Sequence, residues 1–313
     1  MSFYWSRKII RKLPGSVIKM VPKPEPGITE GYGSREKIGE LCADAAYKSV
    51  LLVTDKTVYS LGYHLKIIDS LKSNNIQYAV FNNIASEPTI DIISEGRNAA
   101  VSCGADCIIA LGGGSVLDTC KIIAAGAKMP GRNIRNFLHK FIYVRGKTLP
   151  IIAVPSTAGT GAEITVGAVV HNKKGVKSST VVIGLNVAHV VLDSELTVGA
   201  PERVTVYCGI DALSHGLEGC LADIKSGEED IHKSRECVKL VFENLPILIS
   251  DPGNIDARQN MSFAAYYGGN AINKQLAGYV HAFAHSIGAL YHIPHGEAIA
   301  LCLVPIISFQ KDI

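Results

Sequence analysis

Apolar and polar positions alternate in blocks along the first half of the chain. Runs rich in apolar and β-branched residues predict strands in SVLLVTD (49–55), IQYAVFNNI (76–84), DCIIALGGGS (106–115) and TLPIIAVPST (148–157). The stretches between these runs have helical spacing and predict helices at 62–75, 89–104 and 116–127. Strands that alternate with helices form βαβ units, so the pattern predicts a parallel sheet with helices on both faces.

The pattern changes in the second half. Two β-rich runs on either side of NKKG (172–175) predict a hairpin, and HVVLDSELT (189–197) predicts a further strand. After Pro201 the strand signals stop, and helices are predicted at 202–222, 229–250, 256–275, 277–290 and 297–310. Some of these helices are apolar all round, so we expect them to be buried.

These patterns predict the fold class and a division into domains. An N-terminal extension (1–26) precedes an α/β domain (27–198) with a parallel, Rossmann-like, dinucleotide-binding sheet. An all-α C-terminal domain (199–313) follows it. A cleft between two domains is a favoured place for a ligand.

Composition narrows the class of protein. The chain of 313 residues is 47% hydrophobic and 19% charged, with 30 glycines, which is typical of a folded α/β protein. The net charge is only +3 and the basic residues form no stripe, so we expect no nucleic-acid partner. No apolar run reaches the roughly 20 residues that span a bilayer. The longest run, 298–309, contains Pro305 and predicts a buried helix rather than a membrane segment.

The cysteines and the N-terminal segment indicate the cellular compartment in which we expect the protein. Eight cysteines are spaced irregularly without a CxxC pair, a pattern typical of reduced, mostly buried thiols. The first 24 residues carry six lysines or arginines but lack the apolar segment of a signal peptide. We therefore expect a cytoplasmic protein, with an organellar presequence as the alternative.

A glycine-rich loop follows the strand at 106–111. Gly112, Gly113 and Gly114 let the backbone approach a ligand closely, and the helix that begins near Ser115 offers its N-terminus to a phosphate. An ordinary strand–helix turn is the alternative, because glycine is common in such turns. The loop is not the G-x-G-x-x-G fingerprint; the nearest match, GYGSRE (31–36), lacks the third glycine, so we predict a turn there.

Two other features could belong to the same cofactor site. Asp55 ends the first strand and could accept hydrogen bonds from an adenosine ribose, which would favour NAD over NADP. A helix N-cap is an equally good interpretation of this aspartate. The loop PSTAGTGAE (155–163) also ends a strand and could line the diphosphate or the nicotinamide.

Histidines and one carboxylate are concentrated in the helical half. Asp211 and His215 are four residues apart, as are His281 and His285, and such pairs share one face of a helix. His295 follows a proline and begins the next helix. One carboxylate with several imidazoles suits Fe²⁺ or Zn²⁺, whereas Mg²⁺ or Ca²⁺ would need mostly oxygen ligands. Spacing alone leaves open which histidine is not a ligand.

Four segments together carry a family resemblance: GGGSVLDTCK, PSTAGTGAE, DALSHGLEG and GYVHAFAHSIGALYHIPHGEA. In this order they resemble the iron-containing (group III) alcohol dehydrogenase family, from about residue 27 to the C-terminus. The resemblance implies the fold that this family shares with dehydroquinate synthase. It also implies hydride transfer between NAD(H) and a small primary alcohol or aldehyde, and a homodimer or larger homo-oligomer.

The resemblance implies a role for each matching residue. The implied metal ligands are Asp211, His215, His281 and His295. The implied cofactor-binding residues are Asp55, Gly112, Gly113, Gly114, Ser115, Thr157, Thr160 and Lys177. His285 is implied in catalysis, as a proton relay near the nicotinamide, and His292 is assigned to the pocket or to packing. Fe²⁺ is the expected metal, with Zn²⁺ as the alternative, and NAD is expected rather than NADP.

The chain departs from the family pattern in three places. Ala162 replaces the serine of the TAGTGSE version of the loop, and Glu87 stands where many relatives have asparagine. The helical domain is also shorter than in the family, so we expect it to be truncated. Three alternatives stay open: a polyol (glycerol- or diol-type) dehydrogenase, a dehydroquinate synthase-like lyase, and an inactive truncated product.

Overall fold

The computed structural model describes residues 22–85, 88–137, 141–171, 177–222, 227–275 and 277–311. Most of the predicted N-terminal extension, and Glu87, lie outside these ranges. The strands are β1 (Gly27–Glu30), β2 (Ser49–Asp55), β3 (Gln77–Ile84), β4 (Cys107–Gly112), β5 (Phe141–Tyr143), β6 (Ile151–Pro155), β7 (Gly167–His171), β8 (Lys177–Ile183) and β9 (Val187–Leu192).

The α-helices fall into two groups along the chain. In the first part of the chain they are α1 (Ile38–Asp44), α2 (Lys56–Ser60), α3 (His64–Ser73), α4 (Ile90–Ser102), α5 (Gly114–Ala127) and α6 (Glu195–Val198). In the second part they are α7 (Glu202–Cys220), α8 (Glu228–Ser250), α9 (Ile255–Gln275), α10 (Tyr279–Tyr291) and α11 (His295–Lys311). Among the described residues, no helix is both long enough and apolar enough to cross a bilayer.

A six-stranded parallel sheet, in the order β1–β9–β6–β4–β2–β3, forms the centre of the α/β part. Successive residues of β2 point to opposite faces: Leu51 and Val53 pack into one core, and Val50 and Leu52 into the other. Helices cover both faces, which explains why the inner strands are continuously apolar. The predicted parallel α/β architecture, followed by a helical part, is confirmed.

A second, three-stranded sheet has the order β5–β8–β7. Strands β7 and β8 pair antiparallel, which confirms the predicted hairpin, although residues 172–176 of its connection lie outside the described residues. Strands β1 and β5 were absent from the prediction. They span only four and three residues, too few for a sequence pattern to develop.

A buried lysine fastens the hairpin to helix α5. The Lys121 ammonium donates to Asp118 Oδ1 at 2.8 Å, to Thr165 Oγ1 at 3.0 Å and to the Gly167 carbonyl at 2.6 Å. Asp118 Oδ2 in turn accepts from the Val169 N–H at 2.8 Å. Because each of these groups is matched by an opposite charge or a hydrogen bond, burial of the ammonium is tolerated. The contacts hold β7 against the helix that follows the glycine loop.

The prediction that the last apolar helices are buried was wrong. Helices α10 and α11 bury one face, which includes Val280, Ala284 and Ile299. The opposite faces expose large apolar side chains: Tyr279, Phe283 and Leu290 on α10, and Leu301, Val304 and Phe309 on α11. Apolar composition shows that these helices can be buried, but the neighbouring elements decide which of their faces is covered.

Two glycines bring the loop after β6 against helix α9. Gly161 has a left-handed backbone (φ 60°), and a Cβ on Gly269 would lie 2.5 Å from its carbonyl oxygen. Only glycine at both positions allows this approach, because a side chain would collide with backbone that cannot move aside. The contact fixes the loop of residues 157–163 relative to the helical part.

We expect Gly269→Ala to lower the free energy of unfolding by about 1–3 kcal/mol, because the added methyl group forces the loop and the helix apart. Denaturant unfolding followed by circular dichroism measures this change. Gly131→Ala is the matched control, since a Cβ there meets no atom within 4 Å. Equal stability of the two variants would show that the close approach is not required.

Candidate metal centre and cofactor cleft

One cleft of about 1220 Å³ lies between the α/β part and the helical part. Most of the sequence-predicted site residues line it: Asp55, Gly113, Gly114, Ser115, Thr157, Thr160, Asp211, His215, His281, His285 and His295. Gly112 ends β4 and is not among the lining residues. Lys177 begins β8, but its side chain lies outside the described residues, so its role stays a prediction.

The glycine loop presents a helix N-terminus to the cleft. Gly113 is the N-cap of α5, and its carbonyl accepts from the Val116 and Leu117 N–H groups at 3.0 and 3.1 Å. A Cβ on Gly114 would lie 3.0 Å from Thr160 Cγ2, so glycine lets the two cleft loops approach. The positive end of the α5 dipole therefore faces the cleft, which suits a diphosphate.

Asp55 combines the two interpretations that the sequence left open. Its Oδ1 accepts from the Val58 N–H at 2.8 Å and so caps α2. The same residue lines the cleft, at the carboxyl end of β2, where dinucleotide-binding sheets hold the adenosine ribose. The capping role is established by this contact, and the ribose role stays a prediction.

Three helices bring the four predicted metal ligands together. Asp211 and His215 lie one turn apart on α7, His281 is on α10, and His295 begins α11. From Asp211 Oδ1, the imidazole Nε2 atoms lie at 3.3 Å in His281, 3.5 Å in His295 and 3.7 Å in His215. Asp211, His281 and His295 each offer one ligand atom, and these three atoms all lie within 4.8 Å of one another.

The donor atoms of this cluster fit a cation. Asp211 Oδ1 and His281 Nε2 are both buried and, within the part of the chain that the structure describes, have no hydrogen-bond partner, although they face each other. Leaving buried acceptors unpaired is costly, and a divalent ion that accepts both lone pairs removes that cost. One carboxylate and three imidazoles are the ligand types of Fe²⁺ or Zn²⁺.

Burial and neighbouring charges give the residues of the cluster different charge states. Burial lowers the pKa of His215 to about 4, so its imidazole is neutral and able to donate a lone pair. Burial also opposes the charged form of Asp211, but the neighbouring His215, His281 and His295 outweigh it and hold the aspartate pKa well below its ordinary value. The cluster therefore offers one anionic oxygen among imidazoles.

The two remaining histidines of the block differ. His285 lines the cleft and stacks on His295, with ring centroids 4.8 Å apart. His292 ends α10 in a left-handed conformation (φ 55°) and is exposed. The assignment of His292 to the pocket or to packing was therefore wrong: its position closes the helix, and its side chain faces solvent.

Glu218 is a member of the site that the sequence analysis missed. It is buried on α7, and its carboxylate contacts His281 Nδ1 as well as the Val280 N–H at 2.7 Å. A signal was present in the sequence. Glu218 lies seven residues after Asp211 and three after His215, which places all three on one face of the helix.

Two other buried groups line or adjoin the cleft. Burial raises the pKa of the Cys208 thiol to about 12, so this cleft residue is protonated and is not an activated nucleophile. Glu163 ends the loop of residues 157–163 and is 3% exposed, and no described residue forms a hydrogen bond with its Oε1. Burial raises the pKa of Glu163 to about 7.

Fold and site together define a two-part protein in which a phosphate-type loop and a histidine-rich metal centre share one cleft. The family descriptions that match are "Iron-containing alcohol dehydrogenase" over residues 26–194 and "Fe-containing alcohol dehydrogenase family, C-terminal" over residues 205–312. The chain belongs to the iron-containing alcohol dehydrogenase family.

Relatives and solved structures agree with this assignment. Lactaldehyde reductase of Escherichia coli K12 is 30% identical over 85% of this chain and 69% of its own length. Aldehyde-alcohol dehydrogenase 2 of Entamoeba histolytica is 33% identical, but this chain spans only 31% of its length. Sulfoacetaldehyde reductase from Bifidobacterium kashiwanohense, solved with NAD⁺, is 28% identical with a TM-score of 0.86, over 92% of this chain and 76% of that one.

The buried Glu163 predicts a pH-dependent stability. Its folded pKa of about 7 lies above its ordinary value of 4.5, so the folded state holds the proton more tightly than the unfolded state between these values. Stability is therefore lost as the pH rises from 4.5 to 7. We expect Glu163→Gln to remove this loss, and so to gain about 1–3 kcal/mol relative to the unmodified protein between pH 5 and pH 8.

Urea unfolding at the two pH values measures the difference. Glu243→Gln, on the exposed surface of α8, is the control for removal of a glutamate charge. Parallel stability profiles for Glu163→Gln and the unmodified protein would contradict the assignment.

Proposed function

We propose that the chain provides the site of a metal-dependent oxidoreductase, which transfers a hydride reversibly between NAD(H) and a small primary alcohol or its aldehyde. The observation that carries the proposal is the buried, unpartnered pair Asp211 Oδ1 and His281 Nε2. This pair lies in the same cleft as the Gly113–Ser115 helix N-terminus. The names of the relatives, which are alcohol dehydrogenases and aldehyde reductases, support the same class of reaction.

Each residue set has a distinct task in this proposal. Asp211, His215, His281 and His295 hold the divalent ion, and the loops at Gly112–Ser115 and at Thr157 and Thr160 orient the cofactor. When bound, the ion supplies Lewis-acid stabilisation of the substrate oxygen and the nicotinamide supplies hydride exchange. His285 carries the hydroxyl proton between substrate and solvent, since it is partly exposed and lines the cleft.

The finer points of the proposal rest on different observations. Fe²⁺ is the proposed metal because of the family description, and the ligand types also suit Zn²⁺. NAD is proposed over NADP because Asp55 would repel a 2′-phosphate. The domain boundary at residue 198, the cytoplasmic location and the homo-oligomer implied by the family are parts of the same proposal; all eight cysteines are free thiols, as a reducing compartment requires.

The test is an anaerobic assay of NADH oxidation by short aldehydes, with protein loaded with Fe²⁺ or Zn²⁺. We expect metal-dependent turnover that falls at least about 100-fold in His281→Ala, because the ion loses a ligand. His232→Ala, an exposed histidine on α8, is the matched control and should keep full activity. Turnover without added metal, or turnover that survives His281→Ala, would contradict the proposal.

A diol-type substrate is a second candidate. It is favoured by the likeness to lactaldehyde reductase and to a solved 1,3-propanediol oxidoreductase, which has 30% identity and a TM-score of 0.83 over 90% of this chain and 73% of that one. Hydroxylated and unsubstituted aldehydes of equal chain length, compared in the same assay, distinguish the candidates by their kcat/KM ratio.

Asp55→Asn tests the cofactor preference without disturbing the fold. Asparagine still offers an oxygen to the Val58 N–H, so the α2 cap is kept, while the negative charge is removed. We expect KM for NADH to rise and KM for NADPH to fall, which changes the preference about 10-fold or more. An unchanged ratio of kcat/KM for the two cofactors would show that Asp55 serves only as a cap.

A further inference from the structure

Glu218 makes two kinds of contact with the segment that carries His281. One oxygen, Oε1, accepts from the backbone N–H of Val280 at 2.7 Å and from that of His281 at 3.4 Å. The other oxygen, Oε2, bonds the His281 ring at Nδ1. The N-cap of α10 is Gly278, which makes no side-chain hydrogen bond. Glu218, from a different helix, therefore supplies acceptors to the start of α10.

These contacts fix the imidazole in one tautomer. Because a carboxylate only accepts, the proton of a neutral His281 ring must lie on Nδ1, which leaves a lone pair on Nε2. That Nε2 atom is the one that lies 3.3 Å from Asp211 Oδ1. The carboxylate thus turns the ligand atom of His281, Nε2, toward the metal centre.

The support that His281 receives is absent from the neighbouring His215. His215 stacks on His281 with ring centroids 4.5 Å apart, but its buried Nδ1 has no hydrogen-bond partner among the described residues. Nothing among the described contacts of His215 fixes its ring as Glu218 fixes that of His281.

The absence of a side chain at Gly278 leaves room for the carboxylate of Glu218. A Cβ at this position would lie 2.6 Å from Glu218 Oε1. Glycine before α10 therefore allows the carboxylate to reach the two backbone N–H groups and the ring at the same time.

We propose that Glu218 is a positioning residue of the metal centre: it sets the tautomer and orientation of His281 while it anchors the N-terminus of α10. The proposal rests on the metal centre of the proposed function, but the tautomer it specifies belongs to the neutral ring of the metal-free protein as well. Carboxylates in this relation to a ligating histidine raise metal affinity, and their loss typically costs 10–100-fold.

Glu218→Gln is the discriminating variant, because it keeps the size of the side chain but cannot accept on both sides. If the amide oxygen stays on the backbone N–H groups, the NH₂ group faces Nδ1 and drives the ring proton to Nε2. We expect the dissociation constant for Zn²⁺, measured by competition with a chromophoric chelator, to rise about 10–100-fold.

The tautomer is read directly from ¹⁵N–¹H spectra of metal-free protein with labelled histidine. Burial lowers the pKa of His281, but Asp211 and Glu218 outweigh it and raise that pKa to about 9, so the spectra are recorded at higher pH, where the ring is neutral. There the unmodified protein should carry the His281 proton on Nδ1, and Glu218→Gln should carry it on Nε2. This readout is independent of metal binding, so it remains decisive if the unmodified protein binds no Zn²⁺, a result that would contradict the proposed function instead.

Gly278→Ala displaces the carboxylate without changing its chemistry, and it replaces Glu218→Gln if that variant does not fold. It should weaken Zn²⁺ binding in the same direction. Glu243→Gln, an exposed carboxylate on α8 outside the cluster, is the control and should leave the dissociation constant within about threefold. If Glu218→Gln lowers the melting temperature but leaves both the tautomer and the Zn²⁺ affinity unchanged, Glu218 only anchors the helix and the proposal is overturned.

Discussion

The metal centre depends on a buried carboxylate oxygen and a buried imidazole nitrogen that face each other. Asp211 Oδ1 and His281 Nε2 are buried 3.3 Å apart, and neither has a hydrogen-bond partner among the described residues. An unpaired buried acceptor costs about 1–3 kcal/mol, and a divalent ion that accepts both lone pairs removes that cost. The cluster joins α7, which carries Asp211 and His215, to α10 and α11, which carry His281 and His295.

The cleft connects that centre to the cofactor loop. The parallel sheet ends its strands on the side where the Gly113–Ser115 turn begins α5, as expected for ligand sites in such sheets. The close approach of Gly161 and Gly269 then fixes the second cleft loop against α9. The proposed nucleotide and metal sites therefore come from separate parts of the chain, and two buried contacts, one at Lys121 and one at Gly161, hold the elements between them.

Much of this organisation could be predicted from the sequence, because long strands and helices carry their burial pattern locally. β1 and β5 could not, since strands of four and three residues exist only through their neighbours. The role of Glu218 was hidden because its partner lies 63 residues further along the chain. The exposed faces of α10 and α11 escaped prediction for a related reason: apolar composition does not say which elements cover a helix.

The central claim is that one divalent ion binds per chain at Asp211 and the three histidines. The most direct measurement is a titration of metal-free protein with Co²⁺, followed by its visible absorption, in the unmodified protein and in Asp211→Ala. The account predicts saturation at one equivalent in the unmodified protein, and loss of that saturable signal in the variant. A stoichiometry other than one, or an unchanged titration of Asp211→Ala, would contradict the account.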